Sequence, residues 1–145
     1  MQTLAQQQLD QTPALAKLNL VVEAADRNTI RLRLPLAGNT NHFGAMYAGS
    51  LFSLAEFPFG VLFLNEFAEK PLLPLIGEMS IRYLKPVVTD ATVTVTVSDE
   101  EWAEIEAKTL ADGKFKFERT AEVVDTTGDV VCKTTGTYFS VMKPT

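Results

Sequence analysis

Between Leu34 and Asn65 the only charged side chain, with His42 counted as neutral, belongs to Glu56. At the chain's 21% average of charged residues, a stretch of that length would carry roughly seven. A carboxylate flanked by Leu54, Ala55, Phe57 and Phe59 is penalised by desolvation, which favours its protonated form and raises its pKa. Such a group is either held structurally, by an arginine such as Arg82 or Arg33, or works as a general base or nucleophile facing a cleft. Ahead of it lies Asn41-His42-Phe43-Gly44-Ala45-Met46-Tyr47-Ala48-Gly49-Ser50, a run of turn formers and small residues leading into a helix. The first N–H groups of a helix have no intrahelical partner, and small residues let a ligand's polar atoms reach them. Free amides at Ala48 and Gly49 form an oxyanion site; equally, Gly44, Ala48 and Gly49 could serve only close helix packing. Glu56 lies two turns further on, roughly 10–12 Å along the axis, too far to act on an atom held at those amides of the same chain. Two chains with their helices antiparallel or side by side bring Glu56 of one to the Ala48 and Gly49 amides of the other.

The elements that must position these groups are legible from periodicity. Leu18 to Ala25 reads as a strand, Asp26-Arg27-Asn28 as a turn, and Ile30, Leu32, Leu34 and Leu36 alternate with Arg31 and Arg33 in a half-buried strand. After Gly38 to Asn41, the residues from Ala45 to Phe59 leave almost no polar face at helical spacing, the mark of a buried helix. Pro58 is expected to kink or end its first half, with Val61 to Phe67 as a bent continuation. Met79, Ile81 and Tyr83 alternate with Ser80 and Arg82, and Val93, Val95 and Val97 alternate with threonines, two more strands. Ser98 with Glu101 forms a capping box for a short amphipathic helix that presents Trp102, Ile105, Thr109 and Leu110 on one face and stops at Gly113. Lys114 to Val124 and Val130 to Val141 close the chain as a long hairpin. A helix apolar on every side needs cover beyond one sheet, which a second copy of the chain would supply.

Composition bounds the rest. The 145 residues suit one domain, 1–145, with residues 1–15 as an N-terminal arm or short helix. Hydrophobic residues make up 46%, so disorder, collagen and disulfide scaffolds are excluded. Lys plus Arg number 13 against 18 for Asp plus Glu, a net charge of −5 that argues against a nucleic-acid partner. One cysteine, Cys132, and one histidine leave no zinc-type cluster, so no metal is expected, and Cys132 reads as a small buried hydrophobe. A single cysteine, which cannot form an intrachain disulfide, points to a reduced, cytoplasmic setting, and the Gln-rich start shows neither the basic nor the apolar region of a secretory signal. Glu56, Pro58, Gly49 and Gly60, with no basic residue flanking the start of the apolar stretch, argue against a membrane span.

At these residues the chain resembles a family. Asn41, then Tyr47-Ala48-Gly49 six residues on, then Glu56 nine after Tyr47, is similar to the Asn…His-Gly-Gly…Asp/Glu pattern of hotdog-fold acyl-CoA thioesterases of the phenylacetate-degradation type. The run Met46-Tyr47-Ala48-Gly49-Ser50-Leu51-Phe52-Ser53-Leu54-Ala55-Glu56 is closer still to the thioesterase domains of the group that includes the C-terminal half of certain bacterial acetyltransferase fusions. Ile81-Arg82-Tyr83-Leu84-Lys85-Pro86 resembles the strand after that family's central helix. The resemblance implies an α+β hotdog fold, an antiparallel sheet wrapped around one long helix, assembled as a homodimer or a tetramer with active sites at the dimer interface. It implies acyl-CoA or another acyl thioester as substrate, with no cofactor. Carried over, Glu56 takes the place of the base or nucleophile, the Ala48 amide beside Gly49 that of the oxyanion donor, and Asn41 that of the group orienting water or the thioester. Tyr47 stands where many members have His; it donates a hydrogen bond but is a poor base at neutral pH. Leu75 and Ile76 stand where some relatives have Ser or Thr. His42 and Phe52 are expected to touch substrate, and Phe57, Phe59 and Leu62 line either an acyl tunnel or the core. Arg82 and Lys85, with Lys114 and Lys116, are candidates for the phosphates of coenzyme A.

Two other readings stay open. His42-Phe43 with Glu56 fourteen residues beyond His42 is similar to the hotdog hydroxyacyl dehydratases and hydratases, although Gly44-Ala45 follows here in place of Pro-Gly. A non-catalytic acyl-CoA-binding or sensing hotdog module would keep the tunnel without needing Glu56, and Tyr47 in place of His is the feature that favours it.

Overall fold

The computed structural model describes residues 1–144. Helix α1 (Gln2–Asp10) and a 3₁₀ turn (Pro13–Leu18) lead into strand β1 (Val21–Ala25) and strand β2 (Thr29–Leu34). Asp26 makes the turn between the strands: its Oδ1 accepts from the Asn28 and Thr29 amides at 2.9 and 2.8 Å. The two-residue period of β2 then buries Ile30, Leu32 and Leu34. Helix α2 (Ala48–Glu66) starts three residues later than the apolar pattern does, because Tyr47 keeps extended backbone angles as its N-cap. It does not end at Pro58: Val61 and the residues up to Glu66 continue the same helix, the continuation expected there. Proline inside a helix costs ~3 kcal/mol. Leu54, Ala55, Phe59, Leu62 and Phe63 are all buried around it, and at roughly 1.5–3 kcal/mol for each large side chain their packing outweighs that cost.

Strand β3 (Leu72–Tyr83), strand β4 (Ala91–Thr96), helix α3 (Asp99–Asp112), strand β5 (Lys114–Asp125) and strand β6 (Val130–Met142) complete the chain. The strands form one six-stranded antiparallel sheet in the order β1-β2-β4-β5-β6-β3, with α2 packed across it. This is the sheet around a single long helix that the resemblance implies. That helix is long and apolar enough to cross a membrane by length and composition, but here it forms the centre of the core. β3 starts at Leu72, well before the alternation at Met79; its first half is continuously apolar and has no two-residue period to read. Among the described residues it pairs only with β6, which leaves its other edge free, and Leu75 and Ile76 are exposed along it. A register shift between Ile76 and Glu78 marks a bulge at Gly77.

β4 and β5 pair only through Ala91, Thr92 and Val93 with Asp125, Val124 and Val123, then diverge. Arg119 braces the far end of this split, donating to the Thr96 carbonyl at 2.6 Å and to Glu101 at 2.9 Å. The capping box of α3 is complete: Glu101 N–H donates to Ser98 Oγ and Ser98 N–H to Glu101 Oε2, both at 3.1 Å. Trp102, Ile105 and Thr109 are buried as expected, whereas Leu110 lies on the flank of that stripe and is exposed. Ser98→Ala should cost about 1 kcal/mol in urea unfolding, because it strands one N–H at the helix start.

Candidate active site

The approach to α2 is built by backbone bonds. Tyr47 N–H donates to the Asn39 carbonyl and Met46 N–H to the Val87 carbonyl, each at 2.8 Å. The Asn41 side chain shapes the loop before it, its Oδ1 accepting from the Phe43 and Ala45 amides at 2.9 and 3.2 Å. Asn41 therefore holds the loop, with its carbonyl oxygen already taken. Ser50 and Leu51 N–H both turn back to the Tyr47 carbonyl, and the amides of Ala48 and Gly49 donate to no acceptor among the described residues. Two adjacent free donors thus stand at the positive end of a 19-residue helix.

Two tyrosines frame them. The Tyr47 ring lies over Gly49 so closely that a Cβ there would sit 2.7 Å from it. Because that ring is 57% exposed and can swing away, Gly49→Ala should change stability by less than about 1 kcal/mol. A larger loss in urea unfolding would show that the ring is fixed. Tyr83, at the end of β3, donates its hydroxyl to the Ala48 carbonyl at 2.8 Å. That carbonyl shares a peptide group with the Gly49 N–H, so the bond polarises the free amide.

Glu56 lies eight residues beyond Ala48, about 12 Å along the axis, and the chain does not bring the two together. Its surroundings are a hollow of about 250 Å³ lined by Phe52 and Glu56 from α2 and by Ile76, Gly77, Glu78 and Met79 from the bulged part of β3. Neither arginine considered as its partner reaches it: Arg33 pairs with Asp90 at 3.0 Å, and Arg82 is exposed without an ion pair among the described residues. Glu56 has no ion pair or side-chain hydrogen bond there, and burial raises its pKa above the usual carboxylate value. Tyr138 of β6 is buried within range of its charge: the phenol is pushed up to about 12, first by burial and then by the Glu56 charge. Neither Tyr83 nor Tyr138 was singled out from the sequence. The alternation Thr134, Gly136, Tyr138, Ser140 places Tyr138 on the inner face, but which inward residue meets Glu56 depends on strand order.

The remaining candidates are dispersed. His42 is exposed and packs on Phe43 with ring centroids 4.0 Å apart, in the loop before α2. Phe52 lines the Glu56 hollow, whereas Phe59 and Leu62 are core residues and Phe57 packs against that core. Lys85 is held by Asp129 at 2.6 Å and Asp125 at 3.5 Å, so its charge is already matched. Lys114 lies over the Phe139 ring. Cys132 is buried and its thiol is pushed up to about 11 by burial.

General acid–base catalysis needs a carboxyl of raised pKa and oxyanion stabilisation needs free donors; the half-buried Glu56 and the two unsatisfied amides have those chemical properties, at separate places in one chain. Comparison with known proteins bears on this arrangement. No curated protein matches the chain. Among solved structures, a Pseudomonas aeruginosa protein of unknown function described as a "Probable Thioesterase" superposes with a TM-score of 0.92 and 31% identity, over 97% of this chain and 94% of that one. A protein of unknown function from Chlorobaculum tepidum follows at 0.83 and 21%, over 97% and 93%. The E. coli PaaI protein of the phenylacetic acid degradation operon matches at 0.69 and 18%, over 99% and 96%, and shares the fold. A family model described as "Putative thioesterase (yiiD_Cterm)" matches residues 1–142, and the chain belongs to that family, with the hotdog fold its sheet and central helix form.

Proposed function

We propose that this protein hydrolyses acyl thioesters, acyl-CoA among them, as a homodimer in which each site combines Glu56 of one chain with the Ala48 and Gly49 amides of the other. Glu56 carries the reading: it is the unpaired carboxyl of a nearly charge-free helix, and it faces a hollow beside the free edge of β3. A twelve-residue strand with one edge unpaired and Leu75 and Ile76 exposed is suited to pairing with a second copy, which would close the hollow and bring in the distant amides.

In this mechanism the thioester carbonyl oxygen lies against the two amides. Glu56 takes a proton from water, the water oxygen bonds to the carbonyl carbon, and the amides stabilise the negative charge that forms on the carbonyl oxygen. Collapse breaks the carbon–sulfur bond, and the proton held on Glu56 passes to the departing thiolate. A raised carboxyl pKa suits both transfers, since the group must accept and then release a proton near neutral pH. The test is free-thiol release from butyryl-, octanoyl-, palmitoyl- and crotonyl-CoA, where turnover of at least one is the expected result. Hydration of crotonyl-CoA without thiol release would instead make the protein a hydratase. Tight binding without turnover would make it a sensor.

A further inference from the structure

The split between β4 and β5 opens on the outer face of the sheet into a cleft of about 600 Å³, walled by Thr92 and Thr94 on one side and Thr120 and Glu122 on the other. Thr120, Ala121 and Thr134 line this cleft and also a throat beneath it. The throat, of about 10 Å³, lies between the sheet and Ala55 and Phe59 of α2, and is closed to anything larger than a single water. Its far wall is Met79, and Met79 also lines the Glu56 hollow. Cleft, throat and hollow therefore form a series through the sheet, with Thr120, Ala121 and Thr134 between cleft and throat and the single side chain of Met79 between throat and hollow.

The Met79 side chain is suited to move. Methionine is unbranched, with three rotatable bonds and a polarisable sulfur that adapts to irregular space. Met79 stands opposite Gly136 on β6, whose missing side chain admits both the Tyr138 ring, 2.8 Å from where a Cβ would lie, and the Met79 methyl, 3.3 Å from it. Ala55, Phe59 and Val95 give the throat beyond an apolar wall that suits an alkyl chain, Arg119 and Tyr138 also line it, and it ends among threonines at the solvated cleft. We infer that Met79 is a movable partition, and that the passage behind it, through the β4/β5 split, receives the far end of acyl chains too long for the Glu56 hollow. This rests on the reading of the hollow as the acyl-thioester site.

The test is calorimetric binding of butyryl-CoA and palmitoyl-CoA, with turnover measured alongside, to the wild type, Met79→Ala, Thr120→Trp and the double variant. Thr120 is exposed on the outer face, so a tryptophan there can cover the passage without entering the core. Met79→Ala is expected to favour palmitoyl-CoA over butyryl-CoA about tenfold more than the wild type does, the effect of sheltering one or two further methylenes. Thr120→Trp should abolish that gain in the double variant and, alone, weaken palmitoyl-CoA without altering butyryl-CoA. An unchanged length preference in Thr120→Trp and Met79→Ala would overturn the passage, as would a gain that Thr120→Trp leaves intact. Binding decides the passage separately from catalysis: bound but unhydrolysed acyl-CoA with the expected length preference would overturn the hydrolytic reading and keep the passage. Failure of every acyl-CoA to bind would overturn both.

Discussion

Glu56→Gln is expected to lower thioester turnover by about 10²–10⁴-fold, the usual contribution of a positioned general base. The amide keeps the shape of the carboxyl and loses only its capacity to take a proton, so acyl-CoA binding should survive. Activity that persists undiminished would remove Glu56 from the chemistry. The pH profile supplies a second check. Burial raises the Glu56 pKa, so the active, ionised form is lost on acidification at a pH above the ordinary carboxylate range, and the acid limb of kcat/KM should lie there. Stability runs in the opposite sense. A folded-state pKa raised above the unfolded value means that the native chain binds more protons between the two, so Glu56 lowers stability as pH rises through that window. Glu56→Gln should therefore melt at a higher temperature than the wild type at neutral pH, with the difference closing once the pH falls below the unfolded value.

Ala48→Pro is expected to lower turnover by about 10²–10³-fold, the loss associated with one oxyanion donor. Proline is tolerated at the first helical position, where its missing N–H breaks no helical bond, and Tyr47 before it already has φ −66° and ψ 136°. The substitution thus removes the donor while leaving the helix intact, and unchanged circular dichroism is part of the expected result. Because the proposed site takes Glu56 and the amides from different chains, mixing Ala48→Pro with Glu56→Gln protein should restore activity. In a mixed dimer one site pairs an intact Glu56 with intact amides, and the other carries both lesions. Two inactive preparations that stay inactive after subunit exchange would place both groups of each site in a single chain.

How much of this was legible beforehand depends on whether local spacing or pairing decides the feature. The β1–β2 hairpin, the capping box at Ser98 and the apolar helix bearing Glu56 are local patterns and all three form, although β1 starts at Val21 where a strand from Leu18 was expected and α2 starts at Ala48. Pro58 left open whether the helix ends or continues, because the missing backbone donor is local whereas the burial that carries the helix past it is not. The early start of β3 was hidden in an apolar run that has no period. The bulge at Gly77, the β4/β5 split and the placing of Tyr138 within range of the Glu56 charge are matters of register between strands far apart in sequence, which no single segment records. Lys85 was legible as a cation, but its capture by Asp125 and Asp129 was not, since it depends on the β5–β6 turn lying beside the end of β3.

The strand order has a further consequence, for how the protein is made. β2 and β3 are consecutive strands in the chain, yet β2 lies near one side of the sheet and β3 at the opposite edge, with β6 as its only partner. A ribosome that has released α2 and β3 has therefore released an apolar helix and an unpaired strand, with the sheet that shelters them still unmade. Until Val130 to Met142 emerges, β3 lacks its partner strand within the chain, and the nascent chain exposes an apolar helix and an unpaired strand edge, features that favour aggregation. Synthesis of this protein thus carries an interval of vulnerability that ends only with its last strand, and a chaperone that covers Ala48 to Tyr83 during that interval would act where protection is most needed.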